Sequence, residues 1–291
     1  MSKIDIIEAA SDLGVTVEGA DEGPNILIQN IKNINESNVY KISKGNVIKE
    51  KGAENKQKNL REVNIFNEKL YKKIQEILKN GNIPLTIGGD HSIAIASALA
   101  SIEKYKKLGI IWFDSHGDFN TFETTETGNI HGLPLAVITG YERKKLAEFH
   151  KGNFYPYENT VIVGARDVDR LEWVNLKKAG ITVFSTEDIR KMGVETVVKN
   201  AISIATNGTE GMHISYDIDL IDPEIAPGVS VPALDGITEN QAKQIVEEFL
   251  KEKKKIKSID VVEFNPLRDK ENKTKEITLD IIETIKNNLI N

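Results

Sequence analysis

The chain has 291 residues, of which 40% are hydrophobic and 28% are charged, and its formal net charge is -6. An acidic chain without a basic stripe argues against a nucleic-acid partner, and the absence of cysteine excludes disulfides and thiolate metal sites. No apolar run approaches the roughly 18 residues of a membrane span, and the N-terminal residues lack the apolar core of a signal peptide. We therefore expect a cytoplasmic protein with no membrane partner.

Apolar segments with strand spacing and helix spacing alternate along the chain. In chain order they predict a strand at Ile4–Ile7, a helix at Glu62–Asn80, a strand at Ile83–Ile87, a helix at Ile93–Tyr105, strands at Leu108–Phe113, Thr160–Val163 and Ile181–Ser185, a helix at Val194–Thr206, a strand at Met212–Tyr216, a helix from Ile237 to about Lys251, a strand at Ile256–Phe264 and a helix at Glu276–Leu289. Repeated strand–helix units predict an α/β fold of three layers, with a mostly parallel sheet and helices on both faces.

Two stretches of the chain carry other signals. The lysine-rich segments Lys41–Lys58 and Lys251–Lys257 are interpreted as solvated surface. In the segment that opens the helix after Ile237, Thr238 stands three residues before Gln241, which is a capping-box pattern. The polar clusters described next are spread widely along the chain, which favours a single domain over residues 1–291.

Acidic residues and histidine follow two of the predicted strands. Asp114, His116 and Asp118 come after one apolar run, and Asp217 and Asp219 come after another. Residues two apart in an extended strand point to one face, and sites in such sheets form beyond the carboxyl ends of strands. Four carboxylates and an imidazole exceed the needs of one ion, and this mixture suits divalent ions such as Mn²⁺. The pattern predicts a two-metal hydrolase.

A glycine pair precedes a further histidine. Gly88 and Gly89 lie at a strand-to-helix turn before Asp90, His91 and Ser92, and glycine permits close backbone approach there. His91 is then free to reach the same site as another ligand.

Three motifs together resemble the ureohydrolase family, which includes arginases, agmatinases and formimidoylglutamases. They are Gly88-Gly-Asp-His-Ser92, Asp114-x-His-x-Asp118 and Ser215-Tyr-Asp-Ile-Asp-x-x-Asp222-Pro, and the match runs from Asp12 to Pro266. The chain is most similar to the arginases. The resemblance implies an arginase-like fold, a bridged pair of Mn²⁺ ions in each subunit, and a homo-oligomer, either a trimer or a hexamer.

The resemblance also assigns metal ligands. One ion would take His91, Asp114, Asp118 and Asp217, and the other would take His116, Asp114, Asp217 and Asp219. A water bridging the ions would be acidified to the nucleophilic hydroxide, since a metal can lower the pKa of water to about 7. Asp90, Asp222 and Asp235 match no ligand position, so we interpret them as turn or supporting residues.

The segment from Asn120 to Gly132 resembles the arginase loop that surrounds an amino-acid head group. Asn120 and Thr127 could donate to an α-carboxylate, with Thr125 beside them, and Asp169 and Glu172 match acidic residues near an α-ammonium. A loop asparagine or threonine can equally make a fold-back hydrogen bond. The joint presence of Asp169 favours the substrate-binding interpretation.

The catalytic set implied by the resemblance is His131, Glu263 and Asp118. His131 could pass a proton to the leaving amine, and Glu263 could hold the guanidinium by charge-assisted hydrogen bonds. A loop hydrogen bond for His131 and a surface salt bridge for Glu263 are the structural alternatives.

The expected activity is that of an arginase, the hydrolysis of L-arginine to L-ornithine and urea. The alternatives are agmatinase, formimidoylglutamase or another guanidino-compound ureohydrolase, a catalytically inactive metal-binding relative, and a metallophosphatase. Two departures from the usual arginase pattern bear on substrate choice. Val231 removes a hydroxyl near the expected guanidinium pocket, and Asp235 could approach a second cationic group.

Overall fold

The computed structural model describes residues 3–49, 56–143 and 145–290, and within them eight parallel strands form one sheet. In chain order the strands are β1 (Ile4–Ala10), β2 (Asn38–Ser43), β3 (Ile83–Gly88), β4 (Gly109–Phe113), β5 (Thr160–Ala165), β6 (Thr182–Ser185), β7 (Met212–Asp217) and β8 (Ile256–Val262). Their order across the sheet is β2-β1-β3-β8-β7-β4-β5-β6, and every neighbouring pair is parallel.

Helices cover both faces of this sheet. In chain order they are α1 (Gly23–Asn30), α2 (Leu60–Lys79), α3 (Ala94–Tyr105), α4 (Pro134–Ile138), α5 (Arg170–Ala179), α6 (Thr186–Met192), α7 (Val194–Ala205), α8 (Glu239–Leu250) and α9 (Lys273–Ile290). One hydrophobic cluster joins a face of the sheet to α1, α7, α8 and α9, and a second joins the other face to α2, α3 and α4. The predicted three-layer α/β fold is confirmed.

The local sequence explains the best-defined elements. All five residues of β4, Gly-Ile-Ile-Trp-Phe, are buried, as expected for a parallel strand covered by helices on both faces. Helix α2 buries Val63, Phe66, Leu70 and Ile74 along one stripe. The chain leaves this helix through Gly81, whose φ of 80° favours glycine.

Most predicted elements are present, with ends shifted by a few residues. The capping box between Thr238 and Gln241 is also present at the start of α8. Strand β2 and helices α1, α4, α5 and α6 lie in segments where no element was predicted. Of the described helices, none has both the length and the apolarity to cross a membrane.

The interpretation of Lys41–Lys58 as solvated surface holds for Lys41 and Lys56, which are exposed, and is wrong for Lys44, Lys49 and Lys58. Lys41 belongs to edge strand β2, Lys44 and Lys49 form ion pairs with the buried Asp12, and Lys58 is only 6% exposed. A lysine can bury its aliphatic stem while its ammonium group finds an acceptor, so lysine content alone does not indicate exposure. Residues 50–55 of this segment lie outside the described part.

The strand order brings the motif residues together. Strands β3, β8, β7 and β4 are consecutive neighbours at the centre of the sheet. Their carboxyl ends lead to His91, Glu263, Asp217 and Asp114 respectively. Because all four strands are parallel, these residues share one edge of the sheet, where α/β proteins place their sites.

Candidate metal centre and substrate cavity

Three aspartates surround the ring of His91 at this edge. Its Nδ1 lies 3.0 Å from Oδ2 of Asp114, 3.1 Å from Oδ2 of Asp118 and 3.0 Å from Oδ2 of Asp217. The imidazole stacks on the indole of Trp112 at a centroid distance of 4.1 Å. These contacts fix the ring so that Nδ1 faces the carboxylates.

A second cluster lies beside the first and shares Asp114 with it. Nδ1 of His116 is 3.0 Å from Oδ2 of Asp219 and 3.4 Å from Oδ1 of Asp114. Ser115 donates from Oγ to Asp219 at 2.7 Å, which holds that carboxylate in place. Both clusters have the ligand types and the proximity to hold a metal ion.

Backbone turns orient the shared carboxylates. Oδ1 of Asp114 accepts from the His116 N–H at 2.6 Å, and Oδ1 of Asp217 accepts from the Asp219 N–H at 2.7 Å. The extended geometry therefore does not continue past the strand ends, and Asp118 has a left-handed φ of 49°. The side chains converge through these turns rather than through strict alternation.

Gly89 allows the turn that delivers His91. A Cβ at this position would lie 1.8 Å from the carbonyl oxygen of Ser11, so no other residue fits without moving the backbone. The predicted need for close backbone approach is confirmed here.

The electrostatics of this group of side chains suit a bound cation. Burial and the charges of Asp219 and Asp114 raise the pKa of Asp217 well above its ordinary value. Burial would also raise the pKa of Asp114, but hydrogen bonds with His116 and His91 lower it instead. Four buried carboxylates repel one another, and divalent cations would offset that repulsion. The donor set of carboxylate and imidazole fits borderline-hard divalent metals.

A buried polar network lies behind His91, and sequence reasoning missed it. The other ring nitrogen, Nε2, is 2.8 Å from Oγ of Ser215. Ser215 donates to the carboxylate of Asp260, which also lies 3.0 Å from Nε2 of His213. Since β7 and β8 pair Ser215 with Asp260, this network depends on strand register. The alternating polar residues of His213-Ile-Ser215 and Ser258-Ile-Asp260, inside otherwise apolar strands, were the available signal.

Asp118 of the first cluster and His116 of the second line a cavity of about 170 Å³. Its lining includes these residues predicted for the site: His116, Asp118, Asn120, Thr125, Thr127, His131, Asp169 and Glu172. Val231 also lines the cavity, whereas Asp235 is exposed and outside the lining. The predicted approach of Asp235 to a cationic group is therefore not supported.

Glu263 and His131 form an ion pair next to the His91 cluster. Oε1 of Glu263 accepts from the His91 N–H at 2.8 Å and lies 3.0 Å from Nδ1 of His131. Its other oxygen, Oε2, is buried and has no hydrogen-bond partner among the described residues. Glu263 also has a left-handed φ of 70°, a strained conformation of the kind that clusters at functional sites.

The charges of this pair stabilise each other. Burial alone would lower the pKa of His131, but the hydrogen bond and charge of Glu263 raise it. Burial would raise the pKa of Glu263, and the same contact with His131 lowers it. His131 therefore retains a proton to higher pH than an ordinary histidine.

Residues 119–132, which we call the cavity loop, contribute several of the side chains that line the cavity. Asn120 donates from Nδ2 to Oδ2 of Asp169 at 3.0 Å. Glu172 accepts from the N–H groups of Phe119, at 2.6 Å, and Asp169, at 3.2 Å. Burial, together with the charge of Asp118, raises the pKa of Glu172 to about 8. The two predicted head-group carboxylates, Asp169 directly before α5 and Glu172 in its first turn, thus both accept hydrogen bonds from the start of the cavity loop.

The hydroxyl groups of the cavity loop also make the fold-back hydrogen bonds that were the alternative interpretation. Oγ1 of Thr125 accepts from the Gly128 N–H at 3.0 Å, and Oγ1 of Thr127 accepts from the Asn129 N–H at 3.2 Å. A hydroxyl can still donate its own proton while accepting one, so both threonines keep a donor for a ligand.

The remaining aspartates have local roles. Asp90 accepts from the N–H groups of Gly14 and Ser92, and Asp222 accepts from those of Glu224 and Gly236. Both arrangements agree with their interpretation as turn or supporting residues.

Comparisons with known proteins identify the family. Residues 2–286 match the profile of the Arginase family. An arginase from Staphylococcus aureus (strain MRSA252) is 36% identical over 291 residues, with 97% of this chain and 96% of that protein covered. The native arginase structure from Bacillus caldovelox superposes with a TM-score of 0.90 at 32% identity, with 98% of both chains covered.

A further structure, Entamoeba histolytica arginase in complex with L-ornithine, superposes with a TM-score of 0.89 at 30% identity and 98% coverage of both chains. Whole-length matches at this identity support a hydrolase that acts on guanidino or amidine bonds. The chain is a member of the arginase family.

Proposed function

We propose that this protein is a Mn²⁺-dependent arginase that hydrolyses L-arginine to L-ornithine and urea. The observation that carries the proposal is the layout of one cavity. His116 and Asp118 of the two clusters line it together with His131, the partner of Glu263, and with Asn120, which donates to Asp169. A long cationic substrate with an amino-acid end has matching partners at both ends of such a cavity.

The metal ligands in this proposal are two overlapping sets. His91, Asp114, Asp118 and Asp217 would hold one ion, and His116, Asp114, Asp217 and Asp219 would hold the other. When bound, a pair of divalent ions supplies Lewis-acid chemistry that makes water acidic enough to act as a nucleophile at neutral pH. The distances within both clusters support this assignment.

Glu263 would bind the guanidinium group. Its buried Oε2 lacks a partner among the described residues, and a buried carboxylate oxygen gains most from a charged donor. The contact of Oε1 with the His91 backbone fixes the distance between this carboxylate and the proposed metal ligands.

His131 would supply the proton that the leaving amine needs. Its contact with Glu263 raises the pKa of the imidazole and orients the ring at the side of the cavity. After donating, the neutral ring can take a proton from water and return to its starting state.

The head group would be bound at the other end. Asn120, Thr125 and Thr127 would donate to the α-carboxylate, and Asp169 and Glu172 would face the α-ammonium. Agmatine lacks the carboxylate, so these donors would lose their partner, whereas L-arginine satisfies both sets. An agmatinase, a formimidoylglutamase or another guanidino-compound hydrolase is the alternative, and Val231 in the cavity lining is the residue that favours it.

We also propose that the enzyme is cytoplasmic, acts on a small guanidino substrate and assembles as a trimer or hexamer. Size-exclusion chromatography with light scattering tests the assembly. A monomer at micromolar concentration would remove that part of the proposal without affecting the chemistry.

The test of the activity combines product analysis with a ligand variant. Protein loaded with Mn²⁺ should release urea and L-ornithine in equal amounts from L-arginine, and chelation should abolish the reaction. Asp217→Ala removes a shared ligand and should abolish turnover and lower the bound manganese. Two retained Mn²⁺ ions per chain with normal turnover in Asp217→Ala would disprove the ligand assignment. Absence of urea from wild-type protein would disprove the activity.

A further inference from the structure

The cavity loop is anchored at both ends by hydrogen bonds to other parts of the protein. At its start the Phe119 N–H donates to Glu172, and near its end the His131 N–H donates to the carbonyl oxygen of Gly14 at 3.1 Å. Residues 125–129, which carry the two threonines, lie between these anchors. Lys58 lies outside the cavity loop and donates a hydrogen bond to the backbone of residues 125–129. In the described parts of the chain, it is the hydrogen bond that connects these residues to the protein outside the loop.

Lys58 is a nearly buried cation directed at the loop backbone. Its Nζ donates to the carbonyl oxygen of Thr127 at 2.5 Å, and the residue is 6% exposed. Burying an ammonium group is unfavourable unless its donors find acceptors, so a lysine in this position requires a local compensating contact. A charge-assisted hydrogen bond to a carbonyl oxygen is such a contact, and it restrains the carbonyl in return.

The next residue restrains the segment on which the end of the loop rests. Asn59 precedes α2 with a left-handed φ of 52° and donates from Nδ2 to the carbonyl oxygen of Leu13 at 2.9 Å. Gly14, the neighbour of Leu13, accepts from His131. Two adjacent residues at the start of α2 thus contact both the middle of the cavity loop and the support of its end.

The position of the Thr127 carbonyl determines where the nearby polar groups lie. The Thr127 hydroxyl oxygen accepts from Asn129, and the Thr125 hydroxyl oxygen accepts from Gly128, so the backbone between them forms a closed local unit. Thr125, Thr127 and Asn129 all line the cavity. A shift of the carbonyl would therefore move several cavity-lining groups together.

We propose that Lys58 is a positioning residue that holds the cavity loop in the shape that receives the amino-acid end of a guanidino substrate. This inference rests on the proposed function in one respect: it assumes that the cavity loop binds the amino-acid end of the substrate. Lys58 is not among the residues that line the cavity, and its described hydrogen bond goes to the Thr127 carbonyl rather than to a proposed metal ligand. Its removal should impair recognition of the head group and leave the chemistry intact.

The kinetic test uses Lys58→Met, with Lys56→Met as a matched control. Lys56 is two residues away and exposed. Lys58→Met should raise KM for L-arginine about tenfold, the scale expected for loss of a hydrogen bond to a charged group, with kcat and manganese content unchanged. KM for agmatine, which lacks the carboxylate, should not change. Lys58→Arg keeps an N–H donor and should recover most of the lost affinity. Equal KM values for L-arginine in Lys58→Met and Lys56→Met would overturn the inference.

A second measurement needs no substrate. Hydrogen–deuterium exchange at the amides of Gly128 and Asn129 should accelerate in Lys58→Met and stay unchanged in Lys56→Met, while the amides of β4 remain protected in both. Unchanged exchange in Lys58→Met would overturn the inference whatever the substrate. If wild-type protein does not act on L-arginine, the proposed function fails, and the exchange experiment still decides the role of Lys58.

Discussion

Asp114 and Asp217 use their two carboxylate oxygens for different contacts. In each, Oδ1 accepts from the N–H two residues later, and Oδ2 faces the ring of His91. The sequence spacing predicted that these residues would meet, because both follow apolar strands of a parallel sheet. It could not predict which oxygen faces the site, since that depends on the turns that begin where the strands end.

His131 is proposed to act in the reaction without binding a metal ion, and a variant can separate these two roles. His131→Asn should reduce kcat by about 10²–10⁴-fold, the usual contribution of a general acid or base. Manganese content should be unchanged, because the ring of His131 contacts Glu263 rather than the clustered aspartates. Elemental analysis alongside steady-state kinetics checks this prediction. A variant that loses manganese would show that His131 supports the metal site instead.

Glu172 should make the stability of the metal-free protein depend on pH. Its pKa is raised from the ordinary 4.5 to about 8, so the folded state holds a proton that the unfolded state has released between these values. The stabilisation that Glu172 contributes is complete below its unfolded-state pKa of 4.5. It is lost as the pH rises through the folded-state pKa of about 8. The melting temperature of Glu172→Gln relative to wild type should therefore increase between about pH 5 and about pH 8.

The exposed Glu158→Gln exchange controls for the loss of one negative charge. Thermal unfolding in the presence of a chelator measures both variants at each pH. A constant difference between Glu172→Gln and wild type across this range would show that Glu172 is ionised in the folded protein.

At the scale of elements, the pairing of β7 with β8 supports the metal site from behind. The register sets Ser215 opposite Asp260, and Ser215 links Asp260 to the ring of His91. Partners of this kind fix the orientation of a ligating histidine, and their loss costs about 10–100-fold in metal affinity or activity. Asp260→Asn should weaken Mn²⁺ binding by this amount, as measured by competition with a chelator.

Ser101→Ala provides the control for the Asp260 prediction. Ser101 forms a hydrogen bond with Ser258 at the far end of the same network, at 2.6 Å, and has no described hydrogen bond to Asp260 or Ser215. Its replacement should leave Mn²⁺ affinity near that of wild type. Equal losses of affinity in the two variants would indicate general loosening of the core rather than orientation of His91.

Several elements escaped prediction for identifiable reasons. Strand β2 is at the edge of the sheet, and its polar residues Asn38, Lys41 and Ser43 are exposed and interrupt its apolar ones, so it lacks the apolar run by which buried strands were found. Helix α5 buries Leu176 but exposes Leu171 and Val174, which obscures its hydrophobic stripe. The contact between Lys58 and the cavity loop joins residues 69 positions apart, and no local pattern indicates it.

At the scale of the whole molecule, the metal motifs were predictable because chain topology concentrates them. Four central strands that are distant in sequence are adjacent in the sheet, so each strand end contributes to one site. The general rule for parallel sheets sufficed to predict the meeting of these ends. It did not extend to the polar network between strands, because register cannot be read from either strand alone.

If residues 1–291 form one domain, as predicted, the chain should unfold in a single cooperative transition. Strands from the first and last parts of the described chain, β1, β3 and β8, are neighbours, so the two halves of the sequence share one sheet. Thermal unfolding followed by far-UV circular dichroism and by tryptophan fluorescence should give coincident transitions. Two separated transitions would contradict a single domain.

The central claim is that this cavity selects a guanidino substrate with an amino-acid end. A competition reaction tests it directly: Mn²⁺-loaded protein is given equal concentrations of L-arginine and agmatine, and the early yields of L-ornithine and putrescine are compared. Their ratio equals the ratio of the two kcat/KM values. We predict a large excess of L-ornithine, because agmatine leaves the head-group donors unpaired at about 1–3 kcal/mol each. An excess of putrescine would contradict the arginase assignment.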